Sequence, residues 1–193
     1  MTPDQQDVSD SRSHQPSLSP TDEELWSAFA SGSDAALDAL IERYRAPLYW
    51  YLLLSTGKQD AAARHSRDAW ALLAAYRQPF EGFASFKSWL YGVATQSAVP
   101  ATHSEAFGFG DLLDDLKRAP QTSRRGQIFF AIADMARAER QPFLLATLVG
   151  LPVPDVAKAC NFTVERTWRC LEKAYARLAR SDPFERAGVS DGL

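Results

Sequence analysis

The sequence predicts an all-α protein of two small helical domains joined by a flexible linker, and three observations carry that prediction. Apolar residues recur at three- and four-residue spacing in every ordered stretch, and no stretch alternates apolar with polar residues as a half-buried strand would. The apolar periodicity breaks once in the interior, over 101–125, where Gly, Ser, Thr and charged residues take over. Finally, PDVAKACNFTVERTWRCLEKAYARLAR at 154–180 holds two helical patterns separated by a tight turn, the layout of a helix-turn-helix.

Composition narrows the function classes. At 193 residues, 46% hydrophobic and 23% charged, the chain has the make-up of a globular protein of one domain or two small ones. No apolar run approaches the ~18 to 20 residues of a membrane span, and MTPDQQDVSD lacks the cationic start and apolar centre of a signal peptide. A cytoplasmic location without membrane contact is expected. Cys160 and Cys170 form no CxxC pair and His14, His65 and His103 lie far off, so no metal site or disulfide is expected and both thiols read as packing or surface residues. A net charge of -3 argues against a general polyanion binder, so any nucleic-acid contact must be local. With no glycine-rich phosphate loop, no Ser/His/Asp set and no close carboxylate pair, neither a cofactor nor an enzyme activity is expected.

Residues 1–20 are rich in Ser, Asp, Gln and Pro with almost no large apolar side chains, and are expected to form a disordered tail. A first domain is expected over 21–100. Thr21 with Glu24 forms a capping box ahead of Leu25, Trp26 and Phe29, in a short helix ending near 31–32. Ser33 is placed to cap a second helix with the stripe Leu37, Leu40, Ile41, Tyr44, Leu48, Tyr51 and Leu52, kinked at Pro47 and stopped by Gly57. A third helix is expected over 59–76, with Trp70, Leu73 and Tyr76 inward. Ser85 caps a fourth, FKSWLYGVATQSAV, which Pro100 must end because the residue before a proline is driven out of the helical region. Between the last two, 78–85 is a loop whose phenylalanines either anchor it to the core or stand ready to stack.

The linker 101–125 carries one short acidic amphipathic piece, DLLDDL at 111–116. A second domain is expected over 126–182, with 183–193 as a tail. There Ile128, Phe129, Ile132, Met135, Phe143, Leu144, Leu145 and Leu148 should pack beneath the helix-turn-helix. Pro154 suits the opening of that motif's first helix, with Val156, Ala157 and Cys160 on its apolar face and Asn161-Phe162 at the turn. Thr163 is placed to cap the second helix, in which Val164, Thr167, Leu171, Ala174 and Leu178 form the inward stripe. Its other face sets Arg166, Arg169, Lys173, Arg177 and Arg180 against only Glu165 and Glu172. Such a helix can lie in a major groove, its first turns at base edges and its later cations near phosphates. On spacing alone a solvated helical hairpin explains the pattern equally well.

The order of parts resembles an extracytoplasmic-function sigma factor, the smallest kind of bacterial sigma factor, over 21–180. In the first half the resemblance rests on DEELWSAFASGSDAALDALIERY and FEGFASFKSWLYGVA; in the second, on MARAERQPFLLATLVGLPVPDVAKACNFTV followed by KAYARL. It implies two partners, core RNA polymerase and promoter DNA. By position it implies DNA-facing roles for Thr163, Glu165, Arg166, Trp168, Arg169, Glu172 and Lys173, with Arg166 and Arg169 suited to guanine edges and Lys173 and Arg177 to phosphates. The loop at 78–85 matches the family's loop that captures an unstacked base. Phe80 and Phe83 would then offer flat stacking partners, with Lys87, Trp89, Tyr91 and Gln96 on the helix beside them and Trp89 belonging to the core. The polymerase-facing positions are Ala61, Ala62, Ala63, Arg64, Arg67 and Asp68.

At those positions the family usually carries an acidic cluster that meets basic polymerase helices, and here the charge is absent and partly reversed. After the fourth helix the family continues with a basic helix along DNA, where this chain has Ser97, Ala98, Val99 and Pro100. Glu165, Arg166 and Trp168 stand where the family commonly has small residues and a cation. The expected function is therefore a sigma factor that needs an activating signal, either a partner such as an anti-sigma factor or a kinase acting on Ser66, Ser55 or Thr56. Two alternatives arise from the same departures. One is a sigma-like regulator that binds a protein partner without driving initiation; the other is a stand-alone DNA-binding regulator that uses only its second half.

Overall fold

The computed structural model describes residues 19–77, 82–98 and 130–181, and all regular structure among them is helical. The linker with DLLDDL, most of the N-terminal tail, the C-terminal tail, and Phe80, Ile128 and Phe129 lie outside the described residues.

Helix α1 (Asp22–Ala30) opens on the expected capping box: the Thr21 N–H donates to Glu24 Oε2 at 2.8 Å and the Glu24 N–H returns to Thr21 Oγ1 at 3.2 Å. Asp22 accepts from both Arg43 and Tyr44, tying the start of α1 to α2 (Asp34–Thr56). Ser33 does precede α2 with extended backbone, but its side chain caps nothing; its carbonyl accepts from Ala36 N at 3.1 Å instead. Pro47 sits inside the helix, and Gly57 ends it with φ 75°, its N–H donating to Leu53 O at 2.7 Å. That left-handed geometry suits a residue without a Cβ.

Helix α3 (Gln59–Tyr76) buries Ala62, Ala69, Trp70 and Leu73. Tyr76 departs from expectation and is 64% exposed, because it sits at the last turn of the helix, on the rim of a groove rather than over the core. Ser85 caps α4 (Phe86–Ser97) by accepting from Ser88 N at 3.1 Å. The first-half core is aromatic: Trp26 lies 5.4 Å from Phe86 and 4.9 Å edge-on from Trp89, and Tyr91 meets Tyr51 edge-on at 5.3 Å. Trp89 is thus packed against the core, as expected.

In the second half, a helical turn at 130–133 precedes α5 (Arg137–Leu144), which runs into a π-helical turn (Leu145–Val149). A π-turn spends one more residue per turn than an α-helix and so rotates the chain beyond it. This corrects one predicted core position: Leu148 is 55% exposed, and Val149 is buried in its place. Gly150, at φ 76°, lets Leu151 N reach back to Leu145 O at 2.9 Å. Helices α6 (Val153–Ala159) and α7 (Val164–Ser181) complete the half, α7 packing on α5 and α6.

The two halves pack directly on each other. Helix α6 lies against α4 and α5 against α2, so one contiguous apolar core runs from Trp26 through Leu90 to Val156 and Leu171. Polar groups cross the same seam. Gln141 Nε2 on α5 donates to the buried Ser55 Oγ on α2 at 3.2 Å, and Arg137 donates to Ala98 O at the end of α4.

Within the core Thr95 Oγ1 lies 2.6 Å from both Tyr91 O and Tyr51 Oη. Its single proton goes to the carbonyl, which can only accept, so Tyr51 donates to Thr95. Burial holds the Tyr51 phenol well above its usual range, which keeps that proton in place. Tyr51→Phe leaves Thr95 still bonded to Tyr91 and is expected to cost about 0.5–1.5 kcal/mol, whereas Leu40→Ala, at a fully buried site, is expected to cost about 2–5 kcal/mol. Urea unfolding of the two variants checks the order; equal losses would refute the assigned donor.

Candidate nucleic-acid interface

The helix-turn-helix forms where the sequence places it. Pro154 stands in the first turn of α6, where its missing N–H leaves no carbonyl unmatched, and Val156, Ala157 and Ala159 face inward. Cys160 closes the helix by donating its N–H to Val156 O at 3.0 Å. Asn161 turns the chain with φ 54°, a left-handed conformation asparagine adopts at modest cost, and Phe162 N then returns to Ala157 O at 2.8 Å. Thr163 caps α7 through Arg166 N to Thr163 Oγ1 at 3.1 Å.

The inward stripe of α7 is Thr167, Leu171 and Ala174, all buried, with Leu178 partly so. Val164 is not part of it. At 45% exposure it sits in the first turn, ahead of the point where α7 meets α5 and α6. Thr167 tolerates burial because its hydroxyl donates to Thr163 O at 3.0 Å.

On the outer face Thr163, Glu165, Arg166, Trp168, Arg169, Glu172 and Lys173 are all exposed, as the sequence implied. The Arg166 guanidinium lies 3.8 Å from the centroid of the Phe162 ring. A stacked guanidinium keeps its in-plane N–H fork outward, so the ring orients Arg166 without using up its donors. Arg169 pairs with Glu165 at 3.6 Å, but both side chains are largely exposed, and such a pair is worth little and is easily given up. Arg177 differs: it is held by Asp134 at 2.8 Å and Glu139 at 3.6 Å, so it belongs to the α5 contact and not to the outer cationic face.

The first-half candidates are less available. Phe83 is half-buried, and its ring lies where a Cβ on Gly92 would come within 2.6 Å of its Cζ, with the Lys158 ammonium 4.8 Å over its face. It anchors the loop instead of standing ready to stack. Lys87 donates to Val149 O, across the seam. Gln96 is exposed and lines, with Leu72, Tyr76, Trp89 and Val93, an open apolar groove of about 330 Å³ between α3 and α4. Of the polymerase-facing positions, Arg64, Arg67 and Asp68 are exposed and Ala63 is half-buried, but Ala61 and Ala62 are buried and cannot meet a partner. Ser55 is likewise unreachable for a kinase, being 1% exposed and bonded to Gln141. Thr56 donates to Leu52 O at 2.8 Å, and Ser66 is half-buried.

Two residues that sequence reasoning missed complete this region. Lys158 of α6 donates to Gly82 O, and the buried Asp155 of α6 accepts from Ala84 N at 3.3 Å. They meet a loop more than 70 positions away in the chain, and no local periodicity signals such a pairing. Among the described residues no group of three or more His, Cys, Asp and Glu could hold a metal, and burial together with neighbouring Cys170 pushes the Cys160 thiol up to about 12. No described helix is long and apolar enough to cross a membrane.

No protein-family profile matches the chain, and no curated protein sequence does. Among solved structures, CnrH in complex with the cytosolic domain of CnrY is similar over 82% of this chain and 95% of that one, with a TM-score of 0.60 at 17% identity. At that identity the likeness speaks to the fold alone. The arrangement of its helices is that of a sigma factor.

Proposed function

We propose that the chain is an extracytoplasmic-function sigma factor: it binds core RNA polymerase in the cytoplasm, contacts promoter DNA and directs promoter-specific initiation once a signal has activated it. It is not itself an enzyme in this reading. The observation that carries it is the capped α7 of a sigma-type fold, whose first turns expose Arg166, Trp168 and Arg169, with Lys173 one turn on. The need for activation rests on α3, where Ala61 and Ala62 are buried and Arg64 is exposed, leaving no acidic surface for basic polymerase helices. A kinase acting there has Ser66 as its half-accessible hydroxyl.

A second reading is a sigma-like regulator that holds a protein partner of the anti-sigma kind without driving initiation. The open groove at Leu72, Tyr76 and Val93 favours it, and the similar CnrH is seen bound to a CnrY domain. Co-purification with core polymerase followed by promoter-dependent transcription separates the readings: a regulator of the second kind, or one using only its second half, fails the polymerase step.

Replacing Arg169 with Ala should cost ~1–3 kcal/mol at the preferred upstream duplex and relax base choice there. Titration against specific and scrambled duplexes checks this, and an equal loss on both would make Arg169 a phosphate contact. The double change Ala63→Glu with Arg64→Asp should raise polymerase binding and signal-independent transcription, since it restores attraction where an arginine now faces cations. Tight polymerase binding by the unaltered chain would refute the requirement for activation.

A further inference from the structure

The loop that the sigma reading assigns to an unstacked base and the helix-turn-helix are in contact, and every polar link between them runs through α6 or the turn before it. Lys158 donates to Gly82 O and sits over the Phe83 ring, Asp155 accepts from Ala84 N, and Lys87 donates to Val149 O. Three consecutive loop residues and the lysine beside them are thus engaged by the second half. The outer face of α7 takes no part: Trp168 is 51% exposed and the Arg169 side chain 65%.

We propose that this contact is an autoinhibitory latch, in which α6 occupies the first-half DNA surface while leaving the recognition face of α7 open. The inference rests on the sigma reading. A base seeking Phe83 competes with the Lys158 ammonium for the ring, and a phosphate seeking Lys87 competes with the Val149 carbonyl. Breaking the latch costs little on the Lys158 side, because that residue is itself exposed and its ammonium regains water on release. Asp155 is different, a buried carboxylate that recovers its hydration only when α6 lifts away. The design therefore favours a closed state that a competing anion or partner can open, and it leaves duplex binding by α7 uncoupled from single-strand binding by the loop.

The test uses the full chain and two variants, Lys158→Met, which keeps the aliphatic stem, and Asp155→Asn, which keeps the volume. Hydrogen exchange at 82–98 reports opening, a short mixed-sequence single-stranded DNA reports the loop, and a duplex selected by the unaltered protein reports α7. The expected result is faster exchange at 82–98 in both variants, with single-strand affinity up by roughly tenfold and duplex affinity unchanged. Unchanged exchange with a lower urea midpoint would overturn the latch by making the contact plain core packing. Faster exchange without tighter single-strand binding, while duplex binding persists, would also overturn it. If no form of the protein binds either DNA, the sigma reading falls and the latch falls with it.

Discussion

The seating of α6 on α4 is the contact on which the rest of the arrangement depends. Helix α4 belongs to the first aromatic core through Phe86, Leu90 and Tyr91, and α6 belongs to the second through Val156 and Ala159. Because these helices share one face, the two halves form a continuous apolar interior, and neither buries its full set of side chains without the other. Polar groups then fix the register: Asp155 and Lys158 at the loop, Gln141 on Ser55 beneath, Arg137 on Ala98 at the far end. Apolar burial supplies most of the attraction, and the directional bonds select one alignment among those it would permit.

The recognition helix depends on that seat only indirectly. Its own geometry is set locally by Asn161, which turns the chain, and by Thr163, which caps α7 and accepts from the buried Thr167. Local definition of this kind keeps Arg166 and Arg169 presented in the same way whether α6 rests on α4 or not. The ring of Phe162 adds to it, since a guanidinium stacked on a flat surface has fewer orientations to give up when it meets a base.

The parts legible in the sequence are those that local chemistry determines. The capping box at Thr21, the glycine stop at Gly57, the Ser85 cap and the whole helix-turn-helix are decided within a few residues, and the structure has all of them. The departures have two causes. Tyr76, Leu148 and Val164 fit a helical stripe but lie where a helix has run past its neighbour or has changed pitch, and periodicity carries no information on either. Lys158 and Asp155 read in the sequence as ordinary charges on a short helix, because their partners come from tertiary packing. Of the candidate site, the α7 face is readable from sequence, whereas the occupation of Phe83 and Lys87 is not.

The π-helical turn at Leu145–Val149 acts as a rotational shim between α5 and the helix-turn-helix. One residue of α-helix corresponds to about 100° of azimuth. Loss of a single residue from LATLV would let the segment relax to α-helix and swing the mounting of α6 by that angle, carrying Leu148 inward and the Val149 carbonyl away from Lys87. The chain can thus retune the angle between its two halves through the length of one turn, without altering a residue of either α4 or α7.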